Sequence, residues 1–404
     1  MISSTALHLL QLYSSHSPLL PNLVSLSWDS REKFLPFVSP FISRSLLSVD
    51  IKVPREASSM MPPILMKLSA SSPDIREIRV ELLFHSPATE EASSQLLMQC
   101  NHHRLRKFNV DSPISPAALG HIIQLPSLEK LWLVFNSVQL PNPLPPVVFP
   151  SLQLLDVEYT GAHTWLELLR AIENPVLKEI SVECPGPDVE QFMEAFQLTI
   201  AQCQMQEILQ EFSVRSPQEF KISPGIIACT FSFKNLTSLE ILSDCEPGIC
   251  QTFDITDRHI ELLTKAMPRL ESLTIGGAPC NLHSQITFKS LYTISHRCPR
   301  LSTLQIHFNA ALFVSGVETG PGSAGATLCL SDLKTPSPEL CLVTTIDVGS
   351  IPLPNSDTST IVALGLLGVF PHLKEIEYEE EDWADVQDLI GVCHRMGRFA
   401  FGKG

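Results

Sequence analysis

Two cysteine and histidine groupings and one glycine run are the places where this sequence could do chemistry. Cys100, His102 and His103 would offer two or three metal ligands, and Cys245 with Cys250 two more. Thiolate sulfur and imidazole nitrogen are donors that zinc accepts, but a structural zinc site needs four that converge. Nothing in the spacing pairs the two groupings, so an ordinary turn and core cysteines account for them. Gly320, Gly322 and Gly325 spell GxGxxG. A dinucleotide cradle also requires a strand before the run, a helix after it and an acidic residue about twenty positions on. Here Pro321 and Ser323 interrupt a polar stretch that continues into Ala326-Thr327-Leu328, and that context is missing. GxSxG, HExxH and GxxxxGK[ST] do not occur. His259, His296 and His394 fall on helix-like sequence at unrelated spacings and read as surface or hydrogen-bonded core groups. The expectation is a chain with no catalytic residue, no cofactor and no metal, one that acts by binding.

Any binding surface must be positioned by the element that recurs along the chain. That element is Leu-x-x-Leu-x-Leu, with Ile, Val or Phe allowed at the later apolar sites and often a Pro two residues upstream. Clear copies are Pro126, Leu128, Leu131, Leu133; Pro150, Leu152, Leu155, Val157; Pro268, Leu270, Leu273, Ile275; and Pro371, Leu373, Ile376, Tyr378. Weaker copies, such as Leu46, Val49, Ile51 and Leu209, Phe212, Val214, fill the spaces between. Together they make about thirteen units with a period of roughly 23 to 34 residues, the range of leucine-rich repeats and their longer variants.

The last two apolar residues of each unit are separated by one position, so they point to the same side of a short strand while the residue between points to the other. One unit cannot bury its apolar side alone, and neighbours must stack. The fold expected is therefore an α/β leucine-rich-repeat solenoid, a horseshoe with parallel strands on the concave face and helices on the convex face. Residues 1–404 would form a single solenoid of about thirteen irregular repeats.

Between strands the apolar period becomes helical. Thr256 or Asp257 can cap a helix that carries Ile260, Leu263 and Met267. Similar stretches cover residues 115–125, 164–172, 188–202, 288–297, 361–370 and 385–396, and Ser115 precedes Pro116 at a first helical position. Proline then ends each helix, because it lacks an N–H and disfavours helical geometry in the residue before it. Residues 315–339, with four glycines and three prolines, break the rhythm and read as a flexible insertion. Residues 352–360 form a shorter loop of the same kind.

The 404 residues carry a net charge of −15, are 44% hydrophobic, and contain no apolar run long enough to cross a bilayer. Residues 1–13 have no basic residue, are interrupted by His8 and Gln11, and read as the helix of a first repeat and not as a secretory signal. The 11 cysteines form no CxxC pair, which fits reduced thiols in the cytoplasm or nucleus. The sequon Asn235-Leu236-Thr237 is read as accidental.

The repeat register names the residues of the concave face: those before, between and after the last two apolar positions. They include fifteen acidic and five basic residues. The stretch expected to hold a partner comprises Lys130, Trp132, Val134, Asp156, Glu158, Glu179, Glu183 and Glu211, with Trp132 as anchor. The same register places Leu154, Gly276 and His307 on that face. The partner expected is a protein, basic in character and steered by the acidic surface, with no nucleic acid and no membrane, and the chain is expected to be a monomer. The run Glu375, Glu377, Glu379, Glu380, Glu381, Asp382 would protect the last strand edge from self-association or bind a ligand.

With its irregular repeat length and phrases such as Met267-Pro268-Arg269-Leu270-Glu271-Ser272-Leu273-Thr274-Ile275 and Phe370-Pro371-His372-Leu373-Lys374-Glu375-Ile376, the chain resembles the leucine-rich-repeat region of fungal F-box proteins. The resemblance implies substrate recognition for a cullin-type ubiquitin ligase, with the repeats selecting the substrate and no catalytic residue. Met1 opens directly into repeat-like sequence with no Leu-Pro-x-Glu helical module before it. Binding of the ligase adaptor is accordingly expected only with an F-box N-terminal to this sequence.

Overall fold

The computed structural model describes residues 18–29, 32–82, 86–100, 103–135, 147–159, 168, 172–173, 176–185, 189–202, 205–218, 220–243, 254–276, 284–309, 341–349, 353, 358–378 and 381–395. The insertion at 315–339, the opening segment 1–13 and most of the helix expected at 164–172 lie outside them.

The chain is α/β, and thirteen of its strands stand in parallel ladders. It divides into two compact units, residues 1–182 with 202–205, and residues 183–201 with 206–404. In the first unit the ladder runs β1 (Ser25–Asp29), β2 (Ser48–Val53), β3 (Glu77–Leu82), β4 (Lys107–Val110), β5 (Lys130–Phe135), β7 (Leu154–Tyr159) and β9 (Glu179–Glu183). A separate two-residue pairing joins β6 (Val147–Val148) to β8 (Ile172–Glu173). In the second unit the ladder runs β10 (Glu211–Ser216), β11 (Ser238–Ser243), β12 (Ser272–Gly276), β13 (Thr303–Ile306), β14 (Thr345–Gly349) and β15 (Glu375–Tyr378).

The register follows the repeat residue by residue. Val49 pairs with Ile78 and Ile51 with Val80. Leu239 pairs with Leu273 and Ile241 with Ile275. All eight are buried, as a period of two requires when one side of a strand is core. The ladder extends one residue before the strands proper. The Arg76 N–H donates to the Leu47 carbonyl at 2.7 Å, that of Arg106 to Arg76 at 2.8 Å, and that of Glu129 to Arg106 at 2.8 Å. In the second unit the same link joins Glu271 to Thr237 at 2.7 Å and Lys374 to Thr344 at 2.8 Å. Stacking thus satisfies the backbone groups that a lone repeat would leave bare.

Helices cover the apolar side of the strands, and their caps are written in the sequence. Ser115 accepts from the Ala118 N–H at 3.2 Å with Pro116 opening helix Pro116–Ile122. Ser223 accepts from Ile226 at 3.3 Å ahead of Pro224–Thr230. Helix Asp257–Ala266 begins where expected, with the Thr256 N–H donating to His259 Nδ1 at 3.1 Å, and it stops one residue short of Pro268. The Asp257 carboxylate then reaches the next helix, Phe288–Arg297, accepting from the Thr287 N–H at 2.8 Å, its hydroxyl at 2.7 Å and the Ser290 hydroxyl at 2.5 Å. Asn235, the sequon residue, bridges repeats: its amide donates to the Glu207 carbonyl and its oxygen accepts from Arg269 Nη1 at 2.9 Å.

Three α-helices fall outside the stretches where the apolar period is helical: Met61–Ser71, Pro87–Gln99 and Pro224–Thr230. Serines and threonines that would dilute an apolar stripe, such as Thr89, Ser93 and Ser94, are buried in the second of these. Residues Glu32–Phe41 form a 3-10 helix. Pro36 and Pro40 within it remove the N–H groups that an α-helix would need.

Candidate functional site

An all-parallel sheet is ordinarily covered on both faces. Here many of the residues alternating with the core positions of the ladder carry charge and are exposed or half-buried. In the first unit they form rows across the strands: Ser48, Glu77, Lys107 and Lys130 in one, Ser27, Asp50, Arg79 and Asn109 in the next. Trp132 pairs with Asp156, and Val134 with Glu158.

The expected site residues divide between the two units. Lys130 and Glu158 are exposed on the first unit's open face, and Trp132, Asp156 and Glu179 are half-buried there. Lys130 faces Leu154 in the register, and Trp132 faces Asp156, so these five do share one face. Glu183, half-buried, and Glu211, exposed, belong to the second unit.

Val134 is a correction. Only 5% exposed, it sits beside Pro113, with which it forms an isolated parallel bridge. Leu154, read as open, is likewise 5% exposed. Gly276 and His307 are also buried, because the imidazole occupies the space left by the absent glycine side chain.

Around Trp132 lies a depression of about 350 Å³ lined by Asp50, Arg79, Lys107, Asn109 and Lys130. Four of these were absent from the expected site, although the register that identified Trp132 places them beside it. Lys107 is held by Glu77 at 2.8 Å, and Glu81 pairs with Lys52 at 3.5 Å and with Arg79. In the second unit Arg215 grips Glu240 in a forked contact at 2.8 to 3.1 Å, with Ser213 donating to the same carboxylate at 2.7 Å. Four of the five basic residues on the open faces are thus neutralised locally. Lys130 is in no ion pair among the described residues. One Asp50 carboxylate oxygen and the Asn109 side-chain oxygen are buried without a hydrogen-bond donor, an arrangement that costs stability.

Of the cysteine and histidine groupings weighed as metal ligands and read as turn and core residues, His102, Cys245 and Cys250 lie outside the described residues. Cys100 is buried at the end of helix Pro87–Gln99, and its thiol is pushed up to about 12 by burial. Cys298 is pushed up to about 12 chiefly for the same reason. Among the described residues no group of three or more His, Cys, Asp or Glu is placed to hold a metal ion. Cys100, Cys184, Cys229, Cys298, Cys341 and Cys393 are in no disulfide. Because the thiolate is the reactive form, Cys100 and Cys298 should resist iodoacetamide at pH 8 in the folded protein and react on unfolding in urea. Peptide mapping by mass spectrometry checks this, and rapid native labelling of either would show that it is not enclosed. Gly320, Gly322 and Gly325 of the GxGxxG run, and the insertion around them, lie outside the described residues. Among the described residues, no helix is long and apolar enough to cross a membrane.

No protein-family model matches this chain, and no curated protein matches it.

Proposed function

We propose that this chain is a leucine-rich-repeat solenoid acting as a protein-interaction scaffold, binding through the concave face of its strand ladder without catalysis. The observation that carries this reading is the open side of the first unit's parallel ladder, where half-buried Trp132 stands among charged side chains. A half-buried aromatic ring bordered by polar groups suits the hot spot of an interface. The neighbouring carboxylates of Asp156, Glu158 and Glu179 favour a partner segment that is basic.

The expected result for Trp132→Ala combined with Asp156→Lys and Glu158→Lys is loss of partner capture, by at least tenfold, with the melting temperature little changed. Deleting residues 315–339 should leave capture intact. Affinity capture from source cells with quantitative mass spectrometry reads both. Capture that survives the substitutions and fails with the deletion would sink this proposal in favour of a site in the insertion.

The finer reading, substrate recognition for a cullin-type ubiquitin ligase in the cytoplasm or nucleus, draws support from the F-box resemblance alone. Co-capture of a cullin adaptor with the endogenous protein tests it. Capture of a basic partner with no adaptor makes the chain a stand-alone binding protein.

A further inference from the structure

At the edge where β3, β4 and β5 begin, three arginines gather around a depression of about 410 Å³: Arg76, Arg104 and Arg106. Ser127, Glu129 and Ser151 line it with them. This surface is separate from the Trp132 depression and was not singled out by any sequence motif.

Arg76 and Arg106 occupy the same position in consecutive repeats, as the 2.8 Å bond from the Arg106 N–H to the Arg76 carbonyl shows. Their backbones are thus one ladder spacing apart, about 4.8 Å. Like charges placed opposite each other in this way are destabilising. The local carboxylates compensate only in part. Arg104 lies 3.4 Å from Asp74, and Arg106 lies 3.6 Å from Glu129, with both arginine side chains about half exposed. Long, solvated pairs of this kind contribute little. Arg76 forms no ion pair among the described residues, and the Ser151 hydroxyl adds a further donor to the lining.

Guanidinium forks match the oxygens of a phosphate in a two-point contact that a loose carboxylate pair does not equal. A compact dianion between Arg76 and Arg106 would relieve their mutual repulsion and draw Arg106 from Glu129. A long polyanion would instead meet a chain of net charge −15 and be repelled. We propose that this arginine cluster is a binding site for a phosphate monoester, either on a protein side chain or on a small soluble molecule. The site is independent of the concave-face reading.

Isothermal titration of the full chain with capped phosphoserine amide, capped serine amide and glycerol 3-phosphate tests it. The two phosphate esters should bind saturably at about millimolar affinity, weaken as salt rises, and lose at least tenfold in Arg76→Ala/Arg106→Ala. Arg76→Lys, which keeps the charge and loses the fork, should weaken binding several-fold, and it keeps the test decisive should the double variant fail to fold. Trp132→Ala should change nothing, which separates this site from the concave face. Tighter phosphoserine binding assigns the site to a modified protein, and tighter glycerol 3-phosphate binding to a metabolite. The proposal is overturned if neither ester saturates, if capped serine binds as well as phosphoserine, or if the arginine variants bind with unchanged affinity.

Discussion

Replacing Phe196 by alanine should lower stability by about 3 to 5 kcal/mol, the range for removing a buried aromatic ring. Phe196 is fully buried in helix Val189–Gln202. Its ring stacks on Phe212 of β10 with centroids 4.8 Å apart, on Phe192 at 5.6 Å, and meets Phe233 edge-on at 6.0 Å. One ring therefore joins a helix, a strand and the turn after the next helix, all within the second unit. Loss of the ring removes both transfer energy and aromatic pairing, the latter worth about 0.5 to 1.5 kcal/mol per pair. A fall in melting temperature of about 10 °C is expected in a unit of this size. Phe196→Leu, which keeps most of the volume, should lose no more than about half as much. A loss below about 1 kcal/mol for the alanine variant would show that the cluster is not formed as described.

Gly276→Ala should cost about 3 kcal/mol, although it adds a single methyl group. The residue ends β12 with φ at 151°, a conformation that side chains rarely adopt. A Cβ built there would lie 2.1 Å from Cδ2 and 2.4 Å from Nε2 of His307. The imidazole cannot simply swing away. His307 is 2% exposed, its backbone carbonyl accepts from the Ser284 hydroxyl at 2.7 Å, and the adjacent Phe308 packs edge-on against Phe288 at 5.3 Å and Trp383 at 6.2 Å. A double-mutant cycle with His307→Ala divides the cost. With the ring gone, the glycine substitution should retain only backbone strain, about 1 to 2 kcal/mol, so the two changes couple by a similar amount. Equal penalties in both backgrounds would mean that the imidazole is not what the glycine accommodates.

His307 shows how far the repeat pattern could be carried. The register places it beyond Ile306 and opposite Gly276, yet no count along the chain reveals that the imidazole packs into the space beside that glycine and is buried there. Val134 teaches the same lesson, since it alternates with the core positions of β5 and is nonetheless only 5% exposed, at a bridge to Pro113, twenty-one residues earlier. The helices Met61–Ser71 and Pro87–Gln99 were illegible for a different reason. Their buried faces include Ser69, Thr89, Ser93 and Ser94, so the apolar stripe that marks an amphipathic helix is broken.

By itself the sequence determined the strands: all thirteen repeat signals mark strands, because a period of two with one apolar side leaves a single register in which neighbours can bury their Leu, Ile and Val. It also determined the capped helix starts at Ser115 and Thr256 and the stop before Pro268, since capping and proline geometry are local. Only the tertiary structure decided which outward side chains remain available. The gathering of Arg76, Arg104 and Arg106, the neutralising of Lys107 and Arg215 by Glu77 and Glu240, and the burial of Val134 all depend on residues 21 to 30 positions apart meeting across the ladder. Such meetings are fixed by the stacking of whole repeats and by the path of the chain between them, which a local pattern does not encode.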